Sequence, residues 1–231
     1  EGNAVIAAKD PFGNILWSWH IWLTDQPQGQ VYYNNAGTMM DRNLGATSSV
    51  PGDVGALGLL YQWGRKDPFL GASAIIYESP AAESTITWPA PVYSAYNTGA
   101  IEYSIAHPTT FIEANQENYD WYYSYYTSND ITRWPTSDKK KSIYDPCPDG
   151  WRIPDGGTDG VWTKALGSTA LSSITFDKTN EGIDFSRKLG SASSIWYPAA
   201  GLIAPEDYGN SWVAGELINV ELGGQWWSAS H

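Results

Sequence analysis

An α+β domain with few short helices, twisted antiparallel strands and long ordered loops is the fold class this sequence predicts. Thirteen Trp and fifteen Tyr stand beside 23 Gly, 14 Pro and only two Met, a mixture that favours strands and fixed turns over long helices. Helical spacing of apolar residues occurs in only two short segments. Between residues 71 and 141 the periodicity weakens while Ser, Thr, Tyr, Asn and Pro accumulate, which predicts an ordered insertion on the domain surface.

In chain order, Ala4-Val5-Ile6-Ala7-Ala8 is strand-like and follows Glu1-Gly2-Asn3 as though an upstream domain precedes it. Ile15 to Leu23 has a β-branched and aromatic bias. The period of two puts Trp17, Trp19 and Ile21 on one face and Leu16, His20 and Trp22 on the other. Asp53 to Trp63 places Val54, Leu57, Leu60 and Tyr61 at helical spacing behind an Asp that can cap. A second helix is expected after Ile153-Pro154, capped by Thr158 or Asp159, with Val161, Trp162, Ala165 and Leu166 inward.

The 231 residues are read as a single domain, and 42% hydrophobic against 16% charged content supplies a sizeable core. The net charge of -12, with Lys139-Lys140-Lys141 as the only basic run, argues against nucleic acid and anionic membrane partners. No window approaches the roughly 18 apolar residues of a membrane span. Residues 1 to 30 lack a signal-peptide pattern, so the start reads as processed or excised.

One cysteine excludes an internal disulfide and a paired-thiolate zinc site. Cys147 lies between Pro146 and Pro148, which predicts a rigid buried turn rather than a reactive thiolate. His20, His107 and His231 show no metal spacing. Asp149, Asp155 and Asp159 among glycines are read as solvated turn residues, with a structural calcium as the sharper alternative; no other cofactor is expected. Asp41 and Arg42 read as a buried salt bridge that, with Asn43, braces loops without touching ligand.

Six blocks in order resemble the Fibrobacter succinogenes major paralogous domain family. They are Trp17 to Trp22, Met40 to Thr47 (MDRNLGAT), Leu60 to Phe69 (LYQWGRKDPF), Tyr144 to Pro154 (YDPCPDGWRIP), Tyr197 to Gly201 and Trp226 to Ser230. The resemblance implies a C-type-lectin-like fold and a place among Bacteroidetes surface proteins, including fimbrillin-associated and pilus-tip adhesins. It also implies kinship with formylglycine-generating enzymes, whose chemistry uses two cysteines where this chain has one. Relatives continue beyond the last block, so a closing strand is expected to be missing here. In lectin-like proteins diversified by retroelements, variable residues concentrate near the C-terminus.

The resemblance gives Trp17, Trp19, Trp63, Trp151, Trp162 and Trp227 packing roles. The surplus rings, set among Ser, Asn and Gly, read as a binding surface: Tyr122, Tyr123, Tyr125 and Tyr126 of the insertion, then Tyr208, Asn210, Trp212 and Trp226. Trp226 and Trp227 face opposite sides of a strand, with Trp226 displayed. The functional expectation is a non-enzymatic adhesin module that binds a glycan or protein, exported to the cell surface. The alternatives are a structural subunit of a pilus or surface layer, and a formylglycine-generating-like oxidase.

Overall fold

The computed structural model describes residues 1–114, 120–123, 133–135, 140–167, 175–191, 194–205 and 212–229, apart from the side chains of 186 and 187. Among them the chain forms five two-stranded sheets and three short α-helices, an α+β architecture dominated by small antiparallel pairs.

Strands β1 (Gly2–Lys9) and β2 (Ile15–Leu23) form a hairpin in which Gly2 faces Leu23 and Ala8 faces Trp17. Lys9 then faces Ile15, leaving Leu16 as the extra residue of a bulge. Polar contacts hold the inner face to the body. Ser18 Oγ donates to Asp67 Oδ1 at 2.6 Å, Trp22 Nε1 donates to the Ala46 carbonyl at 3.0 Å, and the His20 ring lies between Asn3 Oδ1 and Tyr61 Oη. Trp19, Ile21 and Leu23 point outward with Ile6. Trp19 is therefore not a packing residue: it is 48% exposed. Trp17 leaves its face at the bulge and lies half-buried beside Tyr144, under the Lys66 ammonium.

Strands β3 (Gly29–Tyr32) and β4 (Gly37–Met40) make a second hairpin. The helix expected from Asp53 shrinks to a 3-10 turn at Val54–Ala56, with Asp53 Oδ1 accepting from the Gly55 amide at 2.9 Å. Gly58 stops it, because its φ of +72° is left-handed and a Cβ there would meet the Leu44 carbonyl at 2.7 Å.

The insertion corrects the expectation of a surface element. It contributes β5 (Val92–Tyr93), α1 (Ile101–Ala106) and β6 (Ile112–Glu113), with β5 and β6 paired in parallel. Ile112 and Trp134 are 0% exposed and Trp121 is 4% exposed. A buried indole must place its N–H. Trp121 Nε1 donates to the Trp63 carbonyl at 2.6 Å and Trp134 Nε1 to the Arg65 carbonyl at 3.1 Å, so the insertion grips the Leu60 to Phe69 block from inside.

Helix α2 (Val161–Leu166) matches the second expected helix and buries Val161 and Ala165. Its N-cap is Gly160 rather than Thr158 or Asp159, which enters the preceding 3-10 turn. Then come β7 (Gly182–Asp184), α3 (Ser186–Leu189) and β8 (Trp196–Pro198), with β7 and β8 antiparallel. Strands β9 (Ala200–Ile203) and β10 (Leu217–Val220) form the last pair.

The core is divided into three clusters. One gathers Tyr32, Val161, Leu189, Ile195 and Tyr197; a second holds Trp63, Trp134, Cys147, Ile153 and Ala229; a third holds Leu57, Ala72, Ala200 and Val220.

Trp134→Ala should cost about 3–5 kcal/mol in denaturant unfolding, whereas Trp19→Ala should change stability by under about 0.5 kcal/mol. Burial lowers the His20 pKa from 6.5, with Asp67 opposing more weakly. Its folded pKa lies below its unfolded one, so its contribution is complete above pH 6.5 and lost as pH falls through that value toward the folded pKa. Thermal melts in this window should show a loss that His20→Gln reduces.

Candidate functional site

Where the three clusters meet they do not merge, and a cavity of about 520 Å³ lies between them. It opens to solvent, and its volume is in the range of small-ligand sites. Its wall is aromatic: Trp151 comes from the Tyr144 to Pro154 block, Trp162 from α2, Trp196 and Tyr197 from β8, and Trp226 and Trp227 from the last block.

Hydrogen bonds fix the rings of this wall. Trp162 Nε1 donates to Tyr197 Oη at 2.7 Å, and Tyr197 Oη shares a hydrogen bond of 2.7 Å with Tyr32 Oη. Burial pushes both phenol pKa values up, so these hydroxyls stay neutral. Trp226 meets Tyr197 edge to face at 4.9 Å, and Trp227 Nε1 donates to the Tyr61 carbonyl at 2.8 Å. Trp196 is 9% exposed and its buried indole N–H has no partner among the described residues, an uncommon state for a buried donor.

Charged wall residues come in pairs. Arg42 holds Asp41 at 2.9 Å and Asp25 at 2.5 Å, and also donates to Thr24 Oγ1, tying the end of β2 to the end of β4. Asn43 Nδ2 donates to the Leu57 carbonyl at 3.1 Å. The bracing expected of Asp41, Arg42 and Asn43 is present, yet all three also line the cavity. Arg152 grips Asp155 through two bonds of 2.9 Å, and Lys164 lies 3.7 Å from Asp159. Asp155 and Asp159 are thus engaged by cations and Asp149 is exposed; among the described residues no group of acidic, His or Cys side chains is arranged to hold a metal.

Behind the wall, Asp145 organises the turn that carries Cys147. Its carboxylate accepts the Cys147 and Ile153 amides, both at 2.9 Å, while Lys141 Nζ donates to the carbonyls of Cys147, Pro148 and Trp151. Burial, and then Asp145, pushes the Cys147 thiol well above its ordinary pKa. It packs as a small hydrophobe.

Of the residues expected to bind ligand, Trp226 lines the cavity. Tyr122 and Tyr123 are half-buried instead of displayed; the Tyr122 ring lies 5.1 Å from the Arg133 guanidinium, and the Tyr123 amide donates to the Gly99 carbonyl. Trp212 is 38% exposed and lies outside the cavity wall. Tyr125, Tyr126, Tyr208 and Asn210 lie outside the described residues. Trp226 and Trp227 differ in exposure as expected, but in the reverse sense, with Trp226 packed on the first cluster and Trp227 43% exposed. Trp151 and Trp162, read as packing residues, do pack on the second and first clusters and also line the cavity, as does Trp227, which is 43% exposed. No local signal sets them apart, since the fully buried Trp134 and Trp121 are likewise preceded by the charged residues Arg133 and Asp120. No family model, curated protein or solved structure matches this chain.

Arg42→Ala should lower stability by about 2 kcal/mol, because it leaves Asp41 without its cation and cuts the tie to residues 24 and 25. A thiol reagent should label Cys147 slowly in the native protein and fully once denaturant exposes it.

Proposed function

We propose that this chain is a ligand-binding, non-enzymatic module of a bacterial surface or pilus-tip adhesin, and that it holds a glycan in the aromatic cavity. The observation that carries the reading is the cavity of about 520 Å³, walled by Trp151, Trp162, Trp196, Trp226 and Trp227 and edged by ion pairs. Indole faces stack on the C–H faces of sugar rings, while carboxylate and guanidinium groups take up hydroxyls, the combination of apolar wall and few polar groups typical of small-ligand sites. Adhesin context and a lectin-like scaffold are inferred from the six sequence blocks. An oxidase of the formylglycine-generating kind is disfavoured by a lone cysteine held protonated in a buried turn.

One observation favours a second reading, that of a structural subunit. The outer face of the first hairpin exposes Ile6, Trp19, Ile21 and Leu23, an apolar surface of the kind that joins copies of a chain. Sedimentation would identify it through concentration-dependent association that Ile21→Lys abolishes.

On a glycan array, Trp226→Ala and Trp162→Ala should each weaken capture roughly tenfold or more. Trp19→Ala should bind like wild type. Loss in Trp19→Ala with retention in both cavity variants would move the binding surface to the hairpin.

A further inference from the structure

We propose that two copies of this chain join through the free edge of β1 into a closed antiparallel pair, in which Val5 faces Val5 of the second copy. The edge is open along its length. Among the described residues β1 pairs with β2 alone, and Asn3 to Ala7 are all exposed, whichever face of the sheet they lie on. The far edge of β2 is engaged by the body, where α1 packs against the strand and Lys66 Nζ donates to the Ser18 carbonyl at 3.0 Å. The Asp10 amide donates to the Asn14 carbonyl, so the alternation along β1 turns the backbone groups of Ala8, Ile6 and Ala4 toward β2. Those of Asn3, Val5 and Ala7 therefore point outward. An exposed edge is a template for another strand unless charge, proline, a bulge or shortness blunts it. Strand β1 has 8 residues, the extra residue of the bulge lies on β2, and no proline or charged residue stands between Gly2 and Ala8.

The occupant that fits this edge is a second copy. Pairing Val5 with itself sets Asn3 opposite Ala7 and Ala4 opposite Ile6, so the outward groups of the edge meet one another and the two apolar outer faces run together. The same register brings Lys9 opposite Glu1 at both ends. A slip of one residue would set outward groups against inward ones, and a slip of two would take Lys9 off Glu1. The hairpin also adds little to the repulsion between chains of net charge -12, because Lys9 and Asp10 are the only charged residues between Gly2 and Leu23. Since β1 is the open edge of the hairpin, the same surface is used on both sides and the contact closes at two. This differs from the second reading above, whose contact is the outer face. No hairpin residue lines the aromatic cavity, so dimerisation and sugar binding are separable.

Sedimentation equilibrium of the 231-residue chain tests this. Wild type should show a monomer–dimer equilibrium that stops at two. Lys9→Glu, at an exposed strand end, sets two like charges face to face and should weaken the dimer roughly fivefold or more; Glu1→Lys added to it should restore wild-type affinity. Val5→Pro, which removes an outward N–H, should weaken dimerisation roughly tenfold or more, whereas Ile21→Lys should leave it unchanged. A monomer at every concentration from micromolar to millimolar, or growth past the dimer, would overturn the closed pair. Failure of the double charge reversal to rescue Lys9→Glu would overturn the register. Dissociation by Ile21→Lys, with Lys9→Glu and Val5→Pro both without effect, would overturn the edge contact and move the joint to the outer face.

Discussion

Two buried arginines hold this protein together. Arg133, 1% exposed, lies 4.7 Å from the Trp63 ring, 5.0 Å from Trp121 and 5.1 Å from Tyr122, with Asp120 as its carboxylate. Arg65, 2% exposed, lies 5.7 Å from Trp121 and 5.2 Å from Phe69. The order is therefore Trp63, Arg133, Trp121, Arg65, Phe69, cations alternating with rings. Taking a guanidinium out of water costs several kcal/mol, and the stack offsets this by meeting the terminal nitrogens of both arginines, although Arg65 Nε has no partner among the described residues. Arg65 has no ion pair among the described residues and is surrounded by the carbonyls of His107, Pro108 and Thr110 and by Gln62 Oε1. Burial lowers its pKa to about 10, which still leaves it charged at neutral pH. These carbonyls belong to the insertion, so the charge of Arg65 forces residues 107–110 to fold onto the 60–69 block.

That dependence explains what the sequence made legible and what it did not. Periodicity located β2 and α2, since each is decided by neighbours within one or two turns of chain. It located the Cys147 turn as well, because two prolines restrict the backbone whatever surrounds it. The Asp53 helix failed because Gly58 answers to the Leu44 carbonyl, fourteen residues away, rather than to its own segment. The insertion was misjudged for a related reason. Its Ser- and Tyr-rich composition suits a surface loop, but Trp121, Arg133 and Trp134 find their partners in residues 63 and 65, and no local pattern encodes that pairing. Trp19 was misassigned because Ser18, His20 and Trp22 hold the opposite face of β2 through polar contacts, where hydrophobicity alone favoured the tryptophan.

The candidate site follows from the same division of the core. The arginine stack belongs to the Trp63 cluster, while Tyr32, Val161 and Tyr197 form their own cluster around α2 and β8. The three clusters stay separate, and Trp151, Trp162, Trp196 and Trp226 line the space between them. The space is an open cleft with an aromatic wall and a polar rim rather than a closed core void. An aromatic wall beside a rim of ion pairs is the composition of small-ligand sites.

The central claim is that the aromatic cavity is the binding surface. The indole region of a nitrogen-proton correlation spectrum tests it most directly, because all thirteen tryptophans report separately and hydrogen bonding moves each N–H resonance. Titration with a sugar selected from an array should shift the resonances of Trp162 and Trp226, while Trp19 stays fixed. Shifts confined to Trp19 and the hairpin backbone, with the cavity indoles unmoved at saturation, would contradict it.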